Sequence, residues 1–346
     1  MDSRSREIAG STPGDMVPGR VAVMGGGSWA TALSKLMLQN MPGIIWYMRR
    51  DDRIEEFRQL GHNPAYLTDV EFPVEKIRFL SDINRAAMEA DTLLMAMPSP
   101  YFKSHLAKLT VDISDKRVVI ATKGIIPDEN MLISDYMVEH YHVRPEHIMV
   151  VSGPCHAEEV ALDRLSYLTV ASPERAAARA FAEVLNGKAM HTLLSDDVSG
   201  IEYAGVLKNV YAIGSGIIHG LKTGDNFQAI FLSNAIREME RFITQAVGGT
   251  RCICDSVYLG DLLVTGYSRF SRNHNFGSML GRGCPVRRAM MEMEMVTEGY
   301  YGTKCLYEIN SQRVHASMPL LDAIYSILYD GVPVVRAMRH LSSELV

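Results

Sequence analysis

The chain has 346 residues, which is long for one hydrophobic core and suits two domains. Hydrophobic residues make up 47% and charged residues 22%, as in an average globular protein, and 40 acidic against 35 basic residues give a net charge of −5. This balance argues against a nucleic-acid-binding protein, and the lack of an apolar run of about 20 residues argues against membrane insertion.

The N-terminal segment and the cysteines indicate the compartment. Residues 1–18 contain no apolar stretch of the kind found in secretory signals, and we expect a disordered leader there. The five cysteines are odd in number and include no C-x-x-C spacing, so we expect free thiols and a cytoplasmic location. Cys252 and Cys254 form a C-x-C pair without a second pair to complete four zinc ligands, and no metal site is predicted.

The order of the predicted elements divides the chain in two. Short β-branched runs alternate with helix-like stretches up to about residue 195. These runs lie at the start of 20–38 and at 43–50, 91–100, 116–125, 147–154, 165–172 and 189–195. Such alternation predicts an α/β domain with a mostly parallel sheet, here over 19–195. Long segments with helical periodicity follow, so we expect an all-helical substrate and catalytic domain over 196–346.

A glycine-rich turn lies between the first predicted strand and the first predicted helix. Gly25 and Gly27, with Ala30, match the pattern G-x-G-x-x-A. Gly25 permits a tight turn, Gly27 lets a pyrophosphate approach the backbone, and Ala30 keeps helix and strand close. Ser28 and Trp29 fill the variable positions, and we expect Trp29 to cover the mouth of the site. A turn without a ligand is the alternative, but the context favours a Rossmann-type dinucleotide-binding domain.

The end of the second strand indicates which nicotinamide cofactor is bound. Arg49 and Arg50 follow this strand, where an acidic residue would hold the ribose 2′-hydroxyl of NAD. Two guanidinium groups favour a 2′-phosphate, so we predict that NADP is the preferred cofactor. Asp51 and Asp52 come next and leave NAD open. The four residues could also be a solvated charge cluster at the start of a helix.

Further motifs follow in a fixed order. They are MPSP (97–100), ATKGI (121–125), VSGPCHAEEVA (151–161), LKNVYAIGSGIIHGLKTGDN (207–226), LGDLLVTGYSRFSRNHNFG (259–277) and VTEG (296–299). Together they resemble the NAD(P)-dependent glycerol-3-phosphate dehydrogenases of the bacterial type, from about residue 20 to about 335. The resemblance implies a Rossmann-type domain followed by a helical domain. It also implies a homodimer that reduces dihydroxyacetone phosphate to sn-glycerol 3-phosphate, the backbone of glycerophospholipids.

Lys208 is the candidate catalytic residue. It lies within an apolar helical segment, where a buried ammonium group is costly unless it has a partner or a function. The resemblance implies that Lys208 is the acid/base, and burial would lower its pKa toward neutral pH. The alternative is a lysine that extends to the surface from a core helix. Asp261 is the expected partner of Lys208, although an aspartate at this position could instead cap a helix.

The resemblance also implies a set of further contacts. Lys123 would contact both ligands and polarise the carbonyl oxygen, unless it is only a surface turn residue. Ser271, Arg272 and Asn273 would bind the substrate phosphate, Arg272 lying near the cofactor as well. The remaining implied contacts are Gly153, Cys155 and Asn209 to the substrate and Ala157 and Glu298 to the cofactor.

The sequence departs from the family pattern in places. Cys155 stands where the family usually has Ser or Thr, and a thiol is a weaker donor than a hydroxyl. We expect this thiol either to loosen the substrate contact or to leave that contact to the backbone, and to be open to oxidation near the site. Val264-Thr265-Gly266 replaces the LTC often seen after GDL. These changes concern fine specificity rather than the class of reaction.

Two alternatives stay open on the sequence. One is a β-hydroxyacid or 6-phosphogluconate type dehydrogenase, which also combines a Rossmann domain with a helical domain and a K-N lysine. The other is a non-enzymatic module that binds NADP and reports redox state to a partner. The S-R-N and G-D-L motifs argue against the first, and a retained proton donor argues against the second.

Overall fold

Eight strands form one sheet in the part of the chain that the structure, a computed structural model, describes: residues 18–268, 270–293 and 295–346. The strands are β1 (Val21–Met24), β2 (Ile44–Tyr47), β3 (Ile77–Leu80), β4 (Thr92–Met95), β5 (Arg117–Ile120), β6 (Ile148–Ser152), β7 (Ser166–Ala171) and β8 (Met190–Ser195). Their order across the sheet is β3-β2-β1-β4-β5-β6-β7-β8. The predicted leader, apart from Pro18, lies outside the described residues.

The direction of the strands creates a crevice at one edge of the sheet. The six strands from β3 to β6 run parallel, with Ala22 of β1 opposite Ile45 on one side and Leu93 on the other. β7 is antiparallel to β6, and β8 is parallel to β7. The strand order turns back between β1 and β4, and ligands of such sheets bind outside the carboxyl ends at this point. The predicted, mostly parallel sheet is therefore confirmed.

The sequence pattern misses one strand. β3 has the sequence Ile77-Arg78-Phe79-Leu80 and lies at the edge of the sheet beside β2. Four residues with a charged, exposed Arg78 give too short an alternation to stand out from a loop. Pairing with the buried β2 makes this short segment a strand.

Helices cover the sheet and make up most of the described residues after β8. Those that accompany the strands are α1 (Ser28–Asn40), α2 (Asp51–Leu60), α3 (Ile83–Glu89), α4 (Ser99–Leu106), α5 (Ile133–Tyr141), α6 (Ala157–Ala161) and α7 (Arg175–Leu185). Those that follow β8 are α8 (Val198–Leu221), α9 (Asp225–Val247), α10 (Asp261–Tyr267), α11 (Arg272–Gly281), α12 (Val286–Glu292), α13 (Glu298–Ile309), α14 (Pro319–Leu328) and α15 (Val334–Ser342). A π-helical turn, Ser256–Gly260, leads directly into α10.

Helix α8 is the central element of the helical half. The Asp197 side chain caps its first turn by accepting a hydrogen bond from the Gly200 amide at 3.2 Å. Nearly every residue of α8 is buried, which explains why it carries little amphipathic pattern. Gly216 on α8 and Gly277 on α11 sit where a Cβ would overlap the backbone of the other helix. The two helices therefore pack in close contact and fix the position of Lys208.

Two hydrophobic clusters fill the interior. One lies on one face of the sheet and contains Trp46, whose ring centroid is 5.3 Å from that of Phe57. The other begins on the opposite face, at residues such as Met24 and Phe102, and continues without a break into the helices around α8. The boundary between domains at 195 and 196 stays a prediction. No helix in the described residues is both long and apolar enough to cross a bilayer.

Candidate active site

The turn between β1 and α1 forms one side of the crevice. Gly25 has a φ of +129°, and a Cβ there would lie 2.9 Å from the Ala96 carbonyl oxygen, so the position requires glycine. Gly27 precedes α1, and a Cβ there would meet no described atom within 4 Å. Ala30 is fully buried where α1 meets the sheet. The turn has the geometry that its sequence predicts.

The first turn of α1 fits the pyrophosphate of a dinucleotide. It starts at Ser28, has no side-chain cap and contains no acidic residue, so its free amides and positive dipole end are unopposed. The open space above Gly27 gives a phosphate access to these amides. Trp29 is half-buried, and Lys123 Nζ lies 5.9 Å from the centre of its ring. Trp29, a predicted cofactor residue, thus lies next to Lys123.

The arginines after β2 differ from each other. Arg50 donates from Nε to Asp52 Oδ1 at 2.9 Å, and a second hydrogen bond joins its Nη2 to the same carboxylate. Arg49 is exposed, and among the described residues no carboxylate lies within ion-pair distance of it. Arg49 is therefore the freer of the two to meet an added phosphate.

Three ionisable side chains meet at the base of the crevice. Asp261, the first residue of α10, is 1% exposed. Its Oδ1 accepts a hydrogen bond from Lys208 Nζ at 2.5 Å, and its Oδ2 accepts one from Lys123 Nζ at 2.8 Å. Lys208 comes from the middle of α8, and Lys123 follows β5. The structure brings Lys208 and Asp261 together as predicted, and it adds Lys123 to the same carboxylate.

The electrostatics of this cluster favour a proton donor. Burial lowers the pKa of Lys208; the charge of Asp261 opposes this shift, and the charge of Lys123 adds to it. Burial alone would raise the pKa of Asp261, but the two ammonium groups lower it, so the carboxylate stays charged. With both lysines protonated, two positive charges share one negative charge. The cluster can therefore stabilise an anion and give up a proton.

Thr265 is a site residue that the sequence reasoning misses. Its Oγ1 accepts a hydrogen bond from Lys208 Nζ at 3.0 Å and donates one to the Asp261 carbonyl oxygen at 2.6 Å. The signal was available, because residues 261 and 265 are four apart and share a face of α10.

Two asparagines connect the lysine cluster to the helical half. Asn209 donates from Nδ2 to the Lys123 carbonyl oxygen at 2.9 Å, and its Oδ1 accepts from Asn273 Nδ2 at 3.0 Å. Asn273 Oδ1 in turn accepts from the Gly299 amide at 2.9 Å. We call this path from Lys123 to Gly299 the amide relay. Each Nδ2 has a second hydrogen for a ligand, while its first is bonded to the Lys123 carbonyl oxygen in Asn209 and to the Asn209 side chain in Asn273.

The S-R-N segment begins helix α11. Ser271 Oγ caps it by accepting from the His274 amide at 3.2 Å, while Asn273 belongs to the amide relay. Arg272 is exposed, with its Nη1 3.4 Å from the Val296 carbonyl oxygen. Of the three predicted phosphate ligands, Arg272 is thus the one whose side chain is presented to solvent.

The loop after β6 contacts the Lys123 side chain. Gly153 has a φ of +144°, and its carbonyl oxygen accepts from Lys123 Nζ at 2.8 Å. Cys155 Sγ donates to the Tyr167 carbonyl oxygen at 3.2 Å, and burial raises the pKa of this thiol to about 12. Ala157 is buried at the start of α6. The Cys155 side chain is therefore a neutral thiol that bonds to backbone.

Glu298 occupies the first position of α13 and contacts the other half of the molecule. Its Oε1 accepts from the Ser99 amide at 2.9 Å, and its Oε2 accepts from Ser99 Oγ. Burial raises the pKa of Glu298, and the bonds from Ser99 and the charge of Arg272 partly oppose the rise. Ser99, at the start of α4, is a second residue that the sequence reasoning does not single out.

Comparison with known proteins identifies the family. The model described as NAD-dependent glycerol-3-phosphate dehydrogenase N-terminus matches residues 20–178, and the corresponding C-terminus model matches 197–339. A glycerol-3-phosphate dehydrogenase (NAD(P)+) of Lysinibacillus sphaericus is 32% identical over 315 residues, 90% of this chain and 93% of the relative. One of Streptococcus gordonii is 34% identical over 329 residues, 94% of this chain and 96% of the relative.

A solved structure agrees with these relatives. The glycerol-3-phosphate dehydrogenase of Coxiella burnetii is 27% identical, superposes with a TM-score of 0.85, and covers 93% of this chain and 98% of its own. The resemblance and the fold class inferred from the motifs are confirmed, and the hydroxyacid dehydrogenase and sensor alternatives are set aside. The chain belongs to the NAD-dependent glycerol-3-phosphate dehydrogenases and is an oxidoreductase that uses NAD or NADP.

Proposed function

We propose that the protein reduces dihydroxyacetone phosphate to sn-glycerol 3-phosphate with Lys208 as the general acid. The observation that carries this proposal is the buried Lys208 ammonium group, 6% exposed, held 2.5 Å from Asp261 at the carboxyl edge of the sheet. Burying a positive charge is costly even beside a carboxylate, so its retention here favours a role in the reaction.

The proton has a defined donor. When bound, NAD(P)H supplies the hydride that reduces the carbonyl carbon. Lys208 Nζ gives its proton to the carbonyl oxygen, and its lowered pKa makes this transfer easier near neutral pH. Lys123 Nζ stabilises the negative charge that develops on the same oxygen. Asp261 and Thr265 orient the Lys208 amine, which regains a proton from solvent before the next turnover.

The substrate phosphate is assigned to the start of α11. Arg272 presents an exposed guanidinium group there, and phosphate is a ligand that arginine binds in a bidentate way. The second Nδ2 hydrogens of Asn209 and Asn273, with Ser271, are the further donors we propose. Gly153 and Cys155 complete the substrate side, with the Cys155 contact made through its backbone.

The cofactor is assigned to the opposite side of the crevice. The turn residues Gly25 to Ala30 would hold the pyrophosphate, with Ala157 and Glu298 close by. We propose NADP as the preferred cofactor because Arg49 is exposed without an ion-pair partner among the described residues, and Arg50 follows it.

We also propose a metabolic role, an assembly and a location for the protein. The product, sn-glycerol 3-phosphate, would supply glycerophospholipid synthesis. The protein would work as a homodimer, the commonest symmetric assembly, and in the cytoplasm. These statements extend the family assignment and do not rest on the site.

The test is oxidation of the reduced cofactor, followed by absorbance with dihydroxyacetone phosphate and either NADPH or NADH. We expect turnover by the wild type and a loss of about 10²–10⁴-fold in kcat for Lys208→Met, the range for removing a general acid. Lys304→Met, an exposed lysine on α13, is the matched control and should keep its activity. No oxidation by the wild type with either cofactor would refute the proposed substrate.

A further inference from the structure

A contact outside the lysine cluster joins the two halves of the molecule. Ser99 lies at the start of α4, next to β4, whereas Glu298 lies at the start of α13, 199 residues later. Both donors of Ser99 bond to the same carboxylate, the amide to Oε1 at 2.9 Å and the hydroxyl to Oε2. Ser99 is 1% exposed. We call this pair of hydrogen bonds the Ser99–Glu298 clasp.

The clasp packs directly against the segment that carries Lys123. Gly124 is the next residue, and a Cβ there would overlap both Ser99 Oγ and Glu298 Oε2. The backbone after Lys123 therefore touches both members of the clasp. A change in the clasp would be transmitted to this backbone because no free space separates them.

The clasp and the amide relay form a closed path. The relay runs from the Lys123 carbonyl oxygen through Asn209 and Asn273 to the amide of Gly299. Gly299 follows Glu298, whose carboxylate leads through Ser99 back to Gly124. The path passes between the strand-rich half and the helical half twice, so it restrains their separation at the crevice.

We propose that Ser99 is a positioning residue, which acts through Glu298 to hold the crevice at the width that lets Lys123 and Lys208 share Asp261. Lys123 belongs to the strand-rich half, and Lys208 and Asp261 belong to the helical half. The 2.8 Å bond from Lys123 to Asp261 therefore depends on how closely the halves meet. Ser99 supplies two of the hydrogen bonds that keep them together.

A weaker clasp has a measurable effect on Lys208. Burial and the charge of Lys123 both lower the pKa of Lys208, and both lessen when the crevice opens. Asp261 lies in the same half as Lys208 and stays beside it, so its charge continues to raise the pKa of Lys208. The pKa of Lys208 should therefore be higher when the crevice is wider. Among the described residues, the titratable groups that face Lys208 are Lys123 after β5, Cys155 and His156 after β6, and Asp261 on α10.

The clasp itself is tested by hydrogen exchange of the full, cofactor-free chain. In Glu298→Ala the Ser99 amide loses its acceptor, and we expect it to exchange at least about tenfold faster than in the wild type. Lys304→Ala, an exposed residue of the same helix α13, is the matched control and should leave that amide unchanged. Equal protection of the Ser99 amide in wild type and Glu298→Ala would overturn the clasp.

The positioning role is tested through Lys208 without any substrate. Trace acylation of the cofactor-free protein over a pH series, read by mass spectrometry, reports the pKa of the Lys208 amine. We expect a higher value in Ser99→Ala than in the wild type, and no change in Ser104→Ala, an exposed serine of the same helix. A merely structural role for Ser99 would lower the stability but not move this value, and an unmoved value would overturn the positioning role.

Activity provides a second measurement, which rests on the function proposed for Lys208. Donation requires the protonated amine, so the rate of reduction falls as pH rises through the pKa of Lys208. In Ser99→Ala this fall should shift to higher pH. If the wild type shows no activity on dihydroxyacetone phosphate, the proposed substrate fails, while exchange and acylation still decide on the clasp and on Ser99.

Discussion

The two ends of the crevice differ in burial and in how far away in sequence the partners of their charged side chains lie. At the lysine end, Lys208 and Asp261 are buried and bonded to partners from several elements. At the arginine end, Arg49 is exposed and Arg50 bonds to Asp52, only two residues away. One end is assembled by the tertiary fold, and the other is a short exposed segment at the end of a strand.

The buried lysine end is the part we assign to proton transfer, and the exposed arginine end is the part we assign to the choice between NADP and NAD. Charges in a buried site interact strongly and are costly to leave unpaired, so substitutions there should affect folding and rate together. Exposed charges are screened by salt, and a change there should alter affinity with little effect on stability. The predictions that follow test this separation.

The largest effect is expected for Asp261→Asn. Removing the carboxylate leaves the Lys123 and Lys208 ammonium groups facing each other without a counter-charge. Breaking a buried ion pair in this way costs about 3–5 kcal/mol, and we expect the free energy of unfolding in urea to fall by that amount. Asp255→Asn, an exposed aspartate six residues earlier, should change it by less than about 0.5 kcal/mol. If the two variants lowered the free energy of unfolding by similar amounts, the lysine cluster would not contribute to the stability of the fold as argued.

The glycine turn offers a pair of variants that separates folding from binding. Gly25→Ala forces a Cβ toward the Ala96 carbonyl oxygen at a φ of +129°, and should destabilise the fold by about 1–3 kcal/mol. Gly27→Ala adds a Cβ in open space, so the Tm of the cofactor-free protein should hardly change. Its affinity for NADPH, measured by fluorescence titration, should fall because the Cβ occupies the phosphate approach. A lower Tm for cofactor-free Gly27→Ala would refute the assignment of Gly27 to cofactor binding rather than folding.

The fold was predictable where local patterns are strong. Short strand-like runs identified seven strands, and the long periodic segments after residue 196 identified the helices. The edge strand β3 and the antiparallel direction of β7 were not predictable, because both depend on partners distant in sequence. Nothing in the residues of β7 specifies which way it runs beside β6.

The site was predictable residue by residue but not as a network. Motifs identified Lys208, Asp261 and Lys123, yet the shared carboxylate requires three elements to meet. Ser99 was overlooked although its motif was recognised, because a serine after a strand is common and its partner lies 199 residues away. Such long-range pairs leave no periodic signal in one sequence.

A smaller effect is expected at the arginine end. Arg49→Ala should reduce the preference for NADPH over NADH by about tenfold, the value of one charge-assisted hydrogen bond, with the Tm unchanged. Arg50→Ala should reduce it less, because that guanidinium group is already bonded to Asp52. The ratio of kcat/KM for the two cofactors measures both, and Arg53→Ala on α2 is the control. A larger change for Arg50 than for Arg49 would reverse the assignment.

The smallest effect is expected for Cys155→Ser, which lies beside the lysine end without taking part in its charge network. A hydroxyl can make the same bond to the Tyr167 carbonyl oxygen that the thiol makes at 3.2 Å, so the KM for substrate should change by less than about threefold.

Burial raises the pKa of the Cys155 thiol to about 12, which leaves almost no thiolate at neutral pH. Contrary to the expectation from the sequence, we therefore predict that peroxide inactivates wild type and Cys155→Ser at similar rates. Selective protection by the serine would mean that Lys123 lowers the pKa of the thiol more than burial raises it.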